Sequence, residues 1–160
     1  MTAPPLTEPV LELWHPVRPR PKGSKKSYGP GRMVESNPHT KPHLEALRDA
    51  LIIARLQHPR RREFPLDCPL ELHLALFFLP YKNTRPGDRP STTKTGDSDK
   101  LERLVSDALT QANVIKDDAR IVDVLKGSYY DQVAGTKLSV GPARDNEGIR
   151  LAGPWPGRNR

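Results

Sequence analysis

Residues 97–125 read DSDKLERLVSDALTQANVIKDDARIVDVL, and two structural periods meet inside them. Leu101, Leu104, Val105, Ala108, Leu109 and Ala112 stand at i, i+3, i+4, i+7, i+8 and i+11, which predicts an amphipathic helix over 98–113. Asn113 suits the left-handed residue that closes such a helix. Ile121, Val122, Val124 and Leu125 then lead toward Tyr129 as a strand over roughly 119–130. Upstream, Leu70, Leu72, Leu74, Leu76 and Phe78 alternate with Glu71, His73, Ala75 and Phe77, the pattern of a long strand with one apolar face. Between them, residues 80–96 (PYKNTRPGDRPSTTKTG) form a basic, turn-rich loop.

Further out, Leu44, Leu47, Leu51 and Ala54 predict a second helix over 41–57, with Thr40 as its N-cap and Pro42 in the first turn. Pro59 and Arg60-Arg61-Arg62 end it. Leu11 and Leu13 alternate with Glu12 and Trp14 in a short strand stopped by Pro16 or Pro19, and Arg32-Met33-Val34-Glu35 reads as another. The fold class is therefore α/β: a small mixed β-sheet with two main helices packed on it. Residues 1–9 read as a flexible N-terminus and 10–131 as the domain. Residues 132–160, rich in Gly and Pro, read as an exposed tail.

Composition narrows the function. The 160 residues carry 26 Lys+Arg against 19 Asp+Glu, a formal charge of +7, and 35% are hydrophobic. One modest core is within reach. No run of about 18 apolar residues exists, so a membrane span is excluded. Cys68 is the lone cysteine, so a disulfide scaffold is excluded as well. No apolar leader follows Met1, and a reducing cytoplasm is the expected compartment. The five histidines lack metal-ligand spacing, and no phosphate-binding glycine loop occurs. The basic excess points to a polyanion such as nucleic acid. Arg18, Arg20, Lys22, Lys25, Lys26 and Arg32 lie in one acid-free stretch, and Lys82, Arg85, Arg89 and Lys94 in the other loop. These ten are the candidate DNA contacts. Trp14 and Tyr81 could stack on opened bases, although a core or interface role suits Trp14 better.

Seven of the nineteen acids fall between Asp97 and Asp123. Asp97 and Asp99 open the 98–113 helix, where the helix dipole favours carboxylates. By position alone they serve equally as cap and first-turn acid or as ligands. At about 100° per residue, Asp99 and Arg103 lie one turn apart on the face opposite the leucine stripe and can pair. Asp117 and Asp118 follow the helix. A helix of about fifteen residues spans roughly 22 Å, so local chain geometry does not bring Asp118 to Asp99. If the carboxylates converge, they make an oxygen-only site suited to Mg²⁺ or Mn²⁺, which would support phosphodiester hydrolysis.

The stretch DSDKLERLVSDALTQANVIKDDARIVD, with its Asp-x-Asp, DAL and Asp-Asp in one register, resembles the RusA family of Holliday junction resolvases. The upstream order of strand, basic PKGSK loop, GRMVES and helix resembles phage-borne members. The resemblance covers about residues 10–131. It implies a Mg²⁺-dependent endonuclease, a homodimer acting on four-way or branched DNA by paired symmetric nicks. Asp97, Asp99 and Asp118 match the family's metal-binding catalytic carboxylates, and Asp117 its neighbouring acid. Asp107 matches the DAL aspartate, for which a structural role is expected. Arg103 stands where the family's catalytic lysine usually stands; arginine keeps the charge but cannot carry a proton, and its fork suits phosphate contact. Two rival readings stay open on the residues: a non-catalytic basic DNA-binding protein, and a metal-dependent nuclease for flap or linear DNA.

Overall fold

A computed structural model describes residues 10–23, 25–27, 29–35, 37–91 and 95–143. Strand β1 (Leu11–His15) is followed by a small hairpin, β2 (Lys25–Ser27) and β3 (Met33–Glu35), then helix α1 (Thr40–Gln57). Strand β4 (Leu70–Phe78), helix α2 (Ser98–Gln111), β5 (Ile121–Tyr130) and β6 (Gly135–Pro142) complete the order. The main sheet runs β1-β6-β4-β5. It is mixed: β4 and β5 are parallel, whereas β6 is antiparallel to both β4 and β1.

The alternation in β4 decides the layering. Leu70, Leu72, Leu74, Leu76 and Phe78 are all buried. They share one core with Leu47 and Leu51 of α1 and with Leu101, Leu104, Val105, Ala108 and Leu109 of α2. Both helices thus pack on one face of the sheet. No helix among the described residues covers the other face. There Trp14, Phe77 and Tyr129 form a row, with ring centroids 5.7 and 5.6 Å apart. Gly135 lies under Trp14, where an added Cβ would come within 2.3 Å of the indole. Trp14 therefore rests on the sheet, 45% exposed, rather than in the core.

Three expectations need correction. The first concerns the tail, because residues 135–142 form a central strand. Thr136, Leu138 and Val140 are buried and pair with Leu76, Leu74 and Leu72. Their period-two alternation lies between Gly135 and Gly141-Pro142, and the punctuation hid it. The domain consequently runs past residue 131 to 142; residues 1–9 and 144–160 lie outside the described residues. The second concerns Thr40, which does not cap α1. His39 occupies that position without a side-chain bond. The Thr40 hydroxyl instead donates to Pro21 O and accepts from Gly23 N, tying the basic loop to α1. The third concerns the acid-free stretch, which is not loop throughout, since it contains β2, paired with β3 just beyond it.

Candidate active site

Helix α2 begins where its chemistry predicts. Asp97 is the N-cap, and its side chain accepts from Asp99 N at 3.1 Å. Gly96 precedes it at φ +92°, with Pro21 so close that an added Cβ would lie 2.6 Å from the ring. The 20–23 segment is thereby pressed against the start of α2. Lys22 N donates to Lys100 O, and Lys22 Nζ pairs with Asp107 Oδ2 at 2.5 Å. Asp107 thus has the structural role expected of it, and Lys22 spends its charge inside the protein.

Asp99 is exposed, and its expected partner is not its nearest one. Lys126 of β5 donates to Asp99 Oδ1 at 2.8 Å and to Glu102 Oε2 at 2.5 Å. The bond from Lys126 holds the Asp99 carboxyl below its usual range, helped by the charges of Lys126 and Arg103. Arg103 therefore acts on Asp99 through its field while Lys126 makes the contact. Burial opposes the charge on Lys126, but the two carboxylates outweigh it and raise its pKa. Sequence spacing did not single out Lys126. The signal is its register: it lies opposite the core residue Leu74, and two acids of α2 meet it there.

At the far end of α2, Asn113 adopts φ 54° and the chain turns into a 3-10 turn, Asp118–Arg120. Asp117 caps this turn by accepting from Ala119 N at 2.8 Å. That bond, followed by one with Asp118, lowers its pKa. Asp67 pins the turn from outside through Lys116 at 2.6 Å and Arg120 at 2.7 Å. Asp118 itself is exposed.

The acids therefore occupy two places. Asp97 and Asp99 stand together beside Lys126. Asp118 precedes Ile121, and the five residue steps from Ile121 to Lys126 alone span about 17 Å of strand. No group of three or more metal-ligating side chains forms among the described residues. One chain does not unite Asp97, Asp99 and Asp118.

A family model, endodeoxyribonuclease RusA, matches residues 16–141. The chain belongs to the RusA family. No curated protein matches it. The match reaches β6, in keeping with the strand's central place in the sheet. A RusA-family member acts on DNA. Arg18, Lys26, Arg32, Lys82 and Arg85 are exposed, and Arg20 is half-buried. Arg89 lies 4.1 Å over the Tyr129 ring and donates to Ser128 O. The side chain of Lys25 and the whole of Lys94 lie outside the described residues. Tyr81 is exposed and packs edge-on against Tyr130. No helix among the described residues is long and apolar enough to cross a membrane.

Proposed function

We propose that this chain is a Mg²⁺-dependent endonuclease, with Mn²⁺ an alternative ion, that resolves Holliday junctions or related branched DNA by paired symmetric nicks as a homodimer. The observation that carries the reading is the pair Asp97 and Asp99, both exposed on the opening of α2 beside a tethered basic loop. Their donor set fits the ion. Mg²⁺ prefers oxygen, keeps several of its waters, and takes one or two carboxylates plus a phosphate. A divalent cation held there would polarise the scissile phosphate and activate the attacking water. Arg103, exposed one turn beyond Asp99, offers its planar fork to a phosphate oxygen. The exposed cations of the two loops orient the arms of the junction.

Asp118 enters through a second copy. Strand β5 is an edge of the sheet, and Val122, Val124 and Leu125 on it are exposed. Pairing β5 antiparallel with β5 of a second copy buries them. It also carries the partner's Asp118 toward the Lys126 end of this chain, where Asp97 and Asp99 stand. The two-fold then produces two equivalent sites, as two symmetric nicks require.

Three measurements on a synthetic four-way junction test this. Asp97→Asn and Asp99→Asn are expected to abolish cutting while the junction still binds; near-normal cutting by both removes the reading. EDTA should stop cutting and Mg²⁺ restore it. Mixing Asp99→Asn with Asp118→Asn should restore nicking of one strand, because each heterodimer then keeps one intact composite site. A mixture as inactive as its components refutes the shared site. A junction shifted but never cut by the wild-type protein would mark a binder, and equal cutting of flap or duplex DNA a less selective nuclease.

A further inference from the structure

The ammonium of Lys126 sits where two carboxylates of one helix converge, Asp99 and, three residues on, Glu102. The three side chains are not equally sheltered. Asp99 is 75% exposed, whereas Glu102 and Lys126 are 27% and 29% exposed. Lys126 and Glu102 thus form the protected pair, and Asp99 is the partner that faces solvent next to Asp97. Lys126 occupies Asp99 Oδ1 and leaves Oδ2 for a cation, but an ammonium and a dication on one carboxylate repel each other, so each weakens the other's hold on Asp99. A cation on Asp99 therefore loosens one of the two bonds of Lys126 and leaves the bond to Glu102. Without Glu102 only the loosened bond would hold the ammonium against a dication a few ångströms away.

We propose that Lys126 and Glu102 are a positioning pair for the nuclease site: Lys126 holds the Asp99 carboxylate in place until a divalent cation claims it, and Glu102 then retains the ammonium at the site as a further positive charge beside the reacting phosphate. This rests on reading Asp97 and Asp99 as metal carboxylates. It assigns to β5 an amine at a site where the family's lysine position on α2 holds Arg103. Lys126 competes with the metal for Asp99, and Glu102 draws it away.

The two members therefore act on metal affinity in opposite directions and through each other. Mn²⁺ binding to the full chain without DNA, followed by electron paramagnetic resonance, measures this directly. Lys126→Met should tighten Mn²⁺ binding and Glu102→Gln should weaken it, each by about fivefold, the scale of a single exposed ion pair. In the Lys126→Met background, Glu102→Gln should have almost no effect, because its role is exerted on the missing ammonium. On junction DNA, Lys126→Met should lower kcat with KM little changed. Lys126→Gln repeats the test with a polar stem, and thermal unfolding confirms that each variant is folded. If Glu102→Gln weakens Mn²⁺ equally in both backgrounds, the two act as independent surface charges and the proposal fails, with the metal reading intact. If wild-type and Asp99→Asn proteins bind Mn²⁺ alike, Asp99 is not a ligand, and the metal reading falls together with the proposal.

Discussion

Acidification should destabilise this protein well above the range in which its carboxylates titrate, and His43 is the reason. The imidazole is 6% exposed on the first turn of α1, facing His15, which is 7% exposed, with ring centroids 6.0 Å apart. His43 Nδ1 and His15 Nε2 are buried without a hydrogen-bond partner among the described residues. Burial, then the charges of His15 and Arg20, lowers the His43 pKa to about 4, and burial lowers that of His15 too. An unfolded imidazole titrates near 6.5. Between these values the unfolded chain binds a proton that the folded chain refuses. Stability is therefore complete above about pH 6.5 and falls as pH drops toward 4. For His43 alone the loss between pH 7 and pH 5 is about 2 kcal/mol, a sizeable share of the 5–15 kcal/mol typical of a domain. Urea unfolding at the two pH values, followed by far-ultraviolet circular dichroism, measures it. His43→Leu should remove most of the pH dependence and be at least as stable at pH 5 as the wild type, since it also deletes a buried unpartnered nitrogen. A wild-type stability unchanged from pH 7 to pH 5, or a His43→Leu variant with an undiminished pH slope, refutes the reasoning.

Other consequences are simpler to check. Leu138→Ala should cost about 2–5 kcal/mol in urea unfolding, because Leu138 is 1% exposed in a central strand; a residue of an exposed tail would cost under about 0.5 kcal/mol. Gly96→Ala should lower the unfolding midpoint through a cost of about 1–3 kcal/mol, combining left-handed backbone with the collision against Pro21, and a variant of wild-type stability would show that this approach is not tight. If Arg18, Lys26, Arg32, Lys82 and Arg85 each meet one phosphate, the slope of log affinity against log salt should be about −4 to −5. Junction binding should then weaken about 500-fold from 50 to 200 mM salt. A slope near −1 would remove these loops as the DNA grip.

Readability from sequence followed signal strength, residue by residue. β4 and α2 were readable because five apolar residues at period two, and six on one helical stripe, leave few alternatives. β6 carries an alternation nearly as clean in Thr136, Leu138 and Val140, but five residues between Gly135 and Gly141-Pro142 resemble a tail until a strand is seen to pair on each side. β3 was expected over Arg32–Glu35, but its partner β2 was missed because Lys25-Lys26-Ser27 offers no apolar residue to mark a strand. Thr40 shows how a local rule yields to a tertiary one, since the hydroxyl that suits a cap is claimed by Pro21 and Gly23 seventeen to nineteen residues away. The candidate acids stood out by their concentration between Asp97 and Asp123 and by the family resemblance, but Lys126 did not. It lies 27 residues from Asp99, and only the parallel register of β5 on β4 brings the two together.

That register also bears on why cutting should depend on pairing. A helix that links two parallel strands must run back along them, so residues at its two ends are separated by its length. Fourteen residues of α2 make that about 21 Å. Asp97 and Asp99 at one end and Asp118 at the other are held apart by the element that connects them, and Asp67, Lys116 and Arg120 pin the turn that would have to move. Bending α2 would break a core in which Leu104, Ala108 and Leu109 are at most 1% exposed. In the proposed dimer a two-fold partner would supply the missing carboxylate without disturbing either core. On the proposed reading a lone subunit then grips DNA with its loops but lacks a complete site. Nicking should accordingly fall with the square of protein concentration once dimers dissociate, whereas binding by the loops falls more slowly. A nicking rate that stays first order in protein through that dissociation would place all three acids in one chain and contradict the rigid separation seen along α2.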